Sequence, residues 1–397
     1  MRSVCVIGLG YVGLPLALLS LEKGYTVHGL ENNPKKVEKL AQEHPLLLVN
    51  HADALLCDVI IIAVPTPVDE KKLPDLSPVR VACEQITEKL TGKGQLIILE
   101  STVNPFVSRK YVLPILEQSG FKEGKDFFLA HCPERIDPGN VQWNVSNIPR
   151  VIGALHPEGL KLATEFYRSI ISGTVSPLSS IEAAEMTKIY ENSLRAVNIA
   201  FANEMAIVMQ NMKLDAKEII QSVKTKPFGL DLCFPSCGVG GHCIPVDPFY
   251  LIDESLKRGF DPSFLRTAMR VNGYMPAYTV SLLMHAMNET GKSVKGARVG
   301  VLGVSYKRNV DDVRESPALD ILKRVKSLGA ELKVYDPFIP EYSNATAEEV
   351  MGCDAVLLLT DHSEFLDYDY SKVPVLIDGK NALEKHKVGG VYKGIGR

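Results

Sequence analysis

Three groups of residues in this chain of 397 have types and spacing suited to chemistry. The first is Gly8-Leu-Gly-Tyr-Val-Gly13, which fits the pattern G-x-G-x-x-G. It follows the apolar, β-branched run 3–7 and precedes the apolar stretch 14–21, which has helical length. Between a strand and a helix, the first glycine makes a tight turn. The second lets backbone approach a pyrophosphate, and the third allows the helix to pack closely on the strand. Free N–H groups at the helix N-terminus would meet the phosphates. Glu31 lies eighteen residues after Gly13, at the end of the next apolar run. A carboxylate there accepts hydrogen bonds from both ribose hydroxyls and repels a 2′-phosphate, so the expected cofactor is NAD rather than NADP.

The second group is the loop 234–248, Phe-Pro-Ser-Cys-Gly-Val-Gly-Gly-His-Cys-Ile-Pro-Val-Asp-Pro. Three readings stay open. The loop can be a tight turn whose cysteines act as small hydrophobes. It can supply metal ligands from Cys233, Cys237, His242 and Cys243, although C-x3-C-x4-H-C is not a common zinc spacing and no second pair follows. Or it can present a nucleophilic thiol, which needs a neighbouring cation to favour a thiolate or an oxyanion. The third group offers that cation. Lys188, Asn192 and Arg195 stand at i, i+4 and i+7, on one face of a helix, where a Lys and an Asn one turn apart can bind a developing oxyanion together. The alternative for this trio is an ordinary solvated helix face.

The elements that would position these groups follow from pattern. Strand-like runs at 3–7, 26–30, 59–64 and 95–100 alternate with helical ones at 14–21, 34–43 and 78–90. That rhythm predicts a doubly wound parallel sheet over about residues 1–150, with 127–130 and 150–153 as later strands. From 181 to 212 the pattern changes to one long helix, with 186, 189, 193, 197, 200, 204 and 208 at a spacing of three to four. More helices run to about 289, and Lys295-Gly-Ala reads as a hinge. The βαβ rhythm then resumes, with strands at 298–302, 331–335, 355–360 and 375–378 and a helix at 317–327. The expected architecture is α/β: two Rossmann-like doubly wound parallel-sheet domains joined by a central helical domain with a long spine helix.

Composition bounds the function. With 44 Lys+Arg against 47 Asp+Glu the formal charge is −3, which supplies neither a field for nucleic acid nor a polybasic membrane anchor. No apolar run approaches the roughly 18–20 residues that span a bilayer, and the N-terminus enters a strand pattern without a signal peptide. Eight cysteines in a chain this long suit a reducing cytoplasm better than a disulfide scaffold. An enzyme that binds NAD, without nucleic acid or membrane, is the expectation.

Seven blocks in order carry a resemblance. They are the glycine run 8–13, Val64-Pro-Thr-Pro67, Glu100-Ser-Thr-Val103, Cys132-Pro-Glu-Arg135, residues 185–206, the stretch 240–248, and 306–317. Together they resemble the UDP-glucose/GDP-mannose dehydrogenase family of nucleotide-sugar 6-dehydrogenases, over nearly the full length. The resemblance implies a four-electron oxidation of a primary alcohol to a carboxylate using two NAD, with Cys243 rather than Cys237 as nucleophile. It makes Lys188 the oxyanion-stabilising cation and Asn192 its partner, lets Asp247 orient or deprotonate a water, and has Thr102 and Glu134 organise water near the reacting carbon. NAD would lie against Gly8, Gly10, Tyr11, Val12, Gly13, Glu31, Pro65, Thr66 and Thr102, with Arg314 on the same side of the cleft. The UDP-sugar would meet Glu134, Arg135, Lys188, Asn192, Arg195, Gly240, Tyr306 and Lys307, with Arg266 as a sugar-phosphate contact.

The implied domains are 1–175 for NAD, 176–292 for the helical, dimerising part with the cysteine loop, and 293–397 for the UDP-sugar. The implied assembly is a homodimer through the central helices, without metal. Two departures stand out. Pro235-Ser-Cys-Gly238 replaces the family's usual Pro-Gly-Pro-Gly, adding a thiol six residues before Cys243. Pro133-Glu-Arg-Ile-Asp-Pro-Gly139 looks like the N-acetylhexosamine branch, with UDP-N-acetylglucosamine slightly favoured over the manno epimer and over UDP-glucose. A different class, the two-domain hydroxyacid dehydrogenases with a Lys and an Asn on a long helix, transfers one hydride and needs neither Cys243 nor a third domain. A non-catalytic NAD sensor would need none of the three side chains.

Overall fold

The computed structural model describes residues 1–69, 73–136, 140, 142–229 and 231–397. Asp137, Pro138 and Gly139, which end the 133–139 block, lie outside the described residues. The chain forms two compact units, Met1–Glu191 with Phe249–Phe260 and Asn192–Pro248 with Asp261–Arg397. The helix Ile181–Asn211 contributes its first part to one unit and the remainder to the other.

The first unit holds an eight-stranded sheet: β1 (Ser3–Ile7), β2 (Thr26–Leu30), β3 (Leu48–Val49), β4 (Val59–Ile62), β5 (Gln95–Leu99), β6 (Phe127–His131), β7 (Arg150–Ala154) and β8 (Val175–Pro177), in the order β3-β2-β1-β4-β5-β6-β7-β8. Both faces of the strands are buried, as parallel sheets require. Val4, Val6, Val59 and Ile61 pack into one core layer, and Cys5, Ile7, Ile60 and Ile62 into the other. Every pairing is parallel except β6 with β7, which is antiparallel. A parallel return needs a crossover, usually a helix. Among its described residues the 132–149 connection has none, so the chain turns back directly. The helix Pro157–Ile170 then restores parallel pairing for β8. The order reverses between β1 and β4, and the crevice at the C-terminal ends of those strands is where open α/β sheets bind ligands.

The second unit holds five parallel strands, β9 (Arg298–Leu302), β10 (Glu331–Tyr335), β11 (Ala355–Leu358), β12 (Val375–Asp378) and β13 (Val391–Gly394), in the order β10-β9-β11-β12-β13. One face packs on Ala206, Met275, Leu283 and Met287 of the helices, and the other forms a smaller core around Phe365 and Tyr370. The two sheets repeat one device. Gly8 after β1 has φ +90° and donates to Leu30 O at 2.8 Å, and a Cβ on it would lie 2.6 Å from Ala63 O. Gly303 after β9 has φ +84° and donates to Tyr335 O at 2.9 Å, and a Cβ there would lie 2.4 Å from Thr360 Cβ. Each turn therefore requires glycine on both counts, conformation and space. Among the described residues no helix is long and apolar enough to cross a membrane.

Candidate active site

The glycine loop of the first unit separates into three roles. Besides the turn at Gly8, a Cβ on Gly13 would lie 1.9 Å from Gly8 O, so the helix Gly13–Glu22 sits too close to the turn for any side chain. A Cβ on Gly10 would meet nothing within 4 Å. Its backbone borders open space, which is the cradle a pyrophosphate needs. Tyr11 is exposed and Val12 half-buried beside it. Glu31, at the end of β2, accepts from the N–H groups of Asn32 at 3.0 Å and Asn33 at 3.1 Å, and its other oxygen pairs with Lys36 at 3.0 Å. Burial alone would raise its pKa, but these contacts outweigh it and hold the carboxylate below its ordinary range. The residues present fit NAD: an open glycine cradle after β1 and an oriented carboxylate at the end of the neighbouring strand.

Further loops leave the same end of the sheet. Pro65 and Thr66 follow β4, and Thr66 O accepts from Tyr250 Oη. Thr102 follows β5, next to Ser101, whose Oγ donates to Val64 O at 2.7 Å and ties the two loops together. Glu134 follows β6 and is buried. One oxygen accepts from the N–H groups of Arg135, at 2.6 Å, and Ile136. The other faces Arg150 Nη1 at 2.8 Å. Arg150, on β7, is fully buried and also reaches Glu100 at 3.4 Å, to which Tyr167 Oη donates. One guanidinium thus serves two buried carboxylates. Burial pushes the Glu100 carboxyl up against the pull of Arg150, with Glu134 adding like-charge repulsion. Lys188 is buried on the long helix. Three residues before it, Glu185 accepts from Phe106 N at 2.6 Å and Ser108 N at 2.8 Å, which fixes the helix against the loop beyond Thr102.

In the second unit the cysteine loop is anchored along its length. Ser236 N donates to Asn203 Oδ1 at 2.9 Å, and Asn203 itself donates to Asn272 Oδ1 at 3.0 Å. Cys237 N donates to Gly379 O at 2.7 Å, and Gly241 N to Arg314 O at 2.9 Å. Cys243 O accepts from Asp247 N at 2.8 Å as the helix Asp247–Lys257 begins. Gly240 and Gly241 press on Tyr306: a Cβ on the first would lie 2.5 Å from its Cβ, and on the second 2.9 Å from its ring. Asn192 Nδ2 donates to Asp247 Oδ2. Cys243 is half-buried with its Sγ 2.9 Å from His242 Nδ1, whereas Cys237 is fully buried in the apolar core. The two thiols are therefore not equally embedded, contrary to what their shared loop suggests. Among the described residues no group of three or more His, Cys, Asp or Glu is gathered as metal ligands would be.

The remaining predicted residues are dispersed. Arg135 pairs with Glu191, with Nε 3.2 Å from Oε2. Arg195 is exposed, although Lys188 is buried on the same helix. Arg266 pairs with Asp261 at 2.9 Å at the surface. Arg314 pairs with Asp312 at 2.6 Å, and Lys307 O accepts from Ser305 Oγ at 2.9 Å. Sequence reasoning missed Arg150, Tyr167, Glu185, Glu191 and the contact of His242 with Cys243. Adjacency was the one available signal for the last.

Comparison with known proteins agrees with these features. Models of the UDP-glucose/GDP-mannose dehydrogenase family match in three parts: the NAD binding domain at 2–56 and 46–171, the central domain at 182–274, and the UDP binding domain at 300–385. A UDP-N-acetyl-D-glucosamine 6-dehydrogenase of Pseudomonas aeruginosa is 36% identical, over 97% of this chain and 98% of its own. A UDP-N-acetyl-D-mannosamine dehydrogenase of Pyrococcus horikoshii is 32% identical, over 99% of both chains. The solved structure of the UDP-D-ManNAc dehydrogenase from Pyrococcus horikoshii superposes with a TM-score of 0.93, covering 100% of this chain and 99% of that one. With an NAD cradle at one sheet and a second, smaller sheet of the same construction, the chain belongs to the UDP-glucose/GDP-mannose dehydrogenase family and is an NAD-dependent nucleotide-sugar dehydrogenase.

Proposed function

We propose that this enzyme oxidises the C6 alcohol of a UDP-N-acetylhexosamine, UDP-GlcNAc by preference, to the uronate. The observation that carries the reading is the end-to-end likeness to two relatives named for N-acetylated UDP-sugars. In this reading residues 1–175 bind NAD, 176–292 carry the cysteine loop, and 293–397 bind the UDP-sugar through Tyr306 and Lys307, with Arg266 on its phosphates and Arg314 toward NAD.

NAD, when bound, supplies the acceptor for the two hydrides. The chain's own residues manage the rest. Once the alcohol is an aldehyde, Cys243 Sγ adds to C6, and the carbonyl oxygen takes up charge as the S–C bond forms. Lys188 and Asn192 hold that oxygen, Lys188 as an ammonium and Asn192 with its amide set by Asp247. Loss of the second hydride from C6 leaves a thioester. Water then attacks it, oriented by Thr102, Glu134 and Asp247, the C–S bond breaks, and the carboxylate leaves with the thiol restored. Covalent capture keeps the aldehyde from escaping between the two oxidations. The Arg150 contact fixes Glu134 in place for that step.

The working form in this reading is a homodimer in a reducing cytoplasm. Tyr190, Leu194, Phe201 and Val208 are exposed on the long helix at a spacing that puts them on one face, an apolar stripe suited to a second copy. Among the described residues no cysteine is joined in a disulfide. The test is NADH production against a panel of UDP- and GDP-sugars, with the product weighed by mass spectrometry. UDP-GlcNAc should turn over fastest, and faster UDP-glucose oxidation would refute the choice of substrate.

A further inference from the structure

A thiol adds to an aldehyde as its thiolate, so the proton on Cys243 has to go to a base before the S–C bond forms. Lys188, the cation assigned to the oxyanion, cannot be that base while it stays an ammonium. Asp247 carries out its own task with Asn192 and, in this reading, with the hydrolytic water. The structure offers another group. His242 Nδ1 stands 2.9 Å from Cys243 Sγ, within the reach expected of a nucleophile and its base.

We propose that His242 is the general base for Cys243: Nδ1 accepts the thiol proton, leaving a thiolate–imidazolium pair poised for the aldehyde. This rests on the reading of Cys243 as nucleophile. The proton balance is closed. The S–H bond breaks, the N–H bond forms at Nδ1, and Nε2 already carries its own hydrogen in the neutral tautomer. When the thioester is hydrolysed, the same nitrogen returns the proton to sulfur. No electrons move in either transfer.

Three features of the second unit support the assignment. First, the pair is held from both sides. Gly240 and Gly241 are pressed on Tyr306, Gly241 N is tied to Arg314 O, and Cys243 O is tied to Asp247 N, so rotation of the dipeptide backbone is restricted. Second, an acidic group lies near the imidazole. Asp312 lies within electrostatic reach of the imidazole, and it is held as a carboxylate: burial acts to raise its pKa, while Arg314 and His242 pull it lower. The segment packed on the loop also carries Lys307, Arg308, Asp311 and Glu315, of which Arg308 is paired with Asp361. Asp247, whose N–H donates to Cys243 O, is the acidic residue that follows the pair in sequence. Third, His242 is exposed and Cys243 half-buried, so the imidazolium can be solvated while the sulfur stays accessible to substrate. Cys237 has none of this. It is fully buried, and burial pushes its pKa up.

The test reads the thiolate directly and needs no substrate. The full-length enzyme is alkylated with iodoacetamide across a range of pH, and modification of Cys243 is followed by peptide mass spectrometry, which separates it from the other seven cysteines. A free thiol has a pKa of about 8.5 and a base-paired one falls to about 7.5 or lower. The wild-type rate should therefore level off at least about one unit below the free-thiol value. In His242→Gln the inflection should return to about 8.5. The position of the inflection is decisive, because a lower pKa also lowers the intrinsic nucleophilicity of the thiolate and shrinks the difference in plateau rate. A wild-type inflection at or above the free-thiol value overturns the proposal without any variant, and so does the same inflection in both proteins. If the inflection moves as expected but alkylated enzyme still makes uronate, the base stands and the nucleophile reading falls.

Discussion

Cys237 and Cys243 stand six residues apart in one loop, and the structure predicts opposite consequences for removing them. Cys237 is fully buried, with its Sγ 3.7 Å from Leu359 O and packed on Gly379. Cys237→Ala deletes one buried heavy atom from a close-packed core, comparable to deleting a methyl, at a cost of about 1 kcal/mol. In a unit of roughly 200 residues that lowers Tm by about 2–4 °C. Nothing about turnover should change beyond what that loss of stability explains. Cys243 is half-buried in a loop anchored by its backbone, so Cys243→Ala should shift stability by no more than about 0.5 kcal/mol. In the proposed mechanism its loss instead removes the covalent partner of the aldehyde. Lys188 and Asn192 then face an oxygen that cannot become the thiohemiacetal oxyanion. The assay pairs a thermal melt with uronate formation in the presence of a carbonyl trap. Cys237→Ala should be less stable and active, and Cys243→Ala should be stable, inactive in uronate formation, and a source of trapped aldehyde. An indispensable Cys237, or wild-type uronate from both variants, would refute the reasoning.

Gly10→Ala should fold normally and lose NAD affinity at least tenfold by calorimetry, whereas Gly13→Ala, whose Cβ has 1.9 Å to Gly8 O, should fail to give folded protein. Equal behaviour of the two would remove the distinction between cradle and packing. Glu31→Gln should narrow the preference for NAD over NADP, as the ratio of kcat/KM reads it, because like-charge repulsion of a 2′-phosphate disappears and Lys36 loses its partner. An unchanged ratio would detach Glu31 from the ribose. Asp336 is buried, and although burial would raise its pKa, His362 and the N–H groups of Val304 and Ser305 pull it down to about 2. Its stabilisation is complete above its ordinary pKa and is lost as pH falls from about 4 to 2, amounting to about 2 kcal/mol. Asp336→Asn should lose less stability than wild type over that window in urea melts, and parallel curves would refute it.

Much of this was legible in the sequence because it is written locally. Glycines at fixed offsets after a β-branched run specify a turn that only they can make, and the structure assigns each of the three a distinct steric reason. Alternating strand and helix runs located both sheets, and one unbroken 3–4 pattern located the long helix. The short edge strands β3 and β8, two and three residues long, have too few positions to show a period. The antiparallel β7 had a readable cue in the Pro- and Gly-containing stretch before it, which has no helical pattern to serve as a crossover. The network behind Glu134 was not readable. Glu100, Arg150 and Tyr167 lie far apart in sequence, and only the closing of the sheet brings one guanidinium between two carboxylates. The burial contrast between Cys237 and Cys243 is of the same kind, since it depends on which thiol the loop turns into the core.

A four-electron oxidation at one site, without release of the aldehyde, fixes the number of NADH formed for each sugar. With limiting UDP-GlcNAc and excess NAD, NADH is read by absorbance at completion while the sugar nucleotide is quantified by chromatography. Two NADH should form for each UDP-GlcNAc consumed, with uronate as the sole sugar product. One NADH for each sugar, with aldehyde as the product, would contradict it and return the chain to single-hydride chemistry.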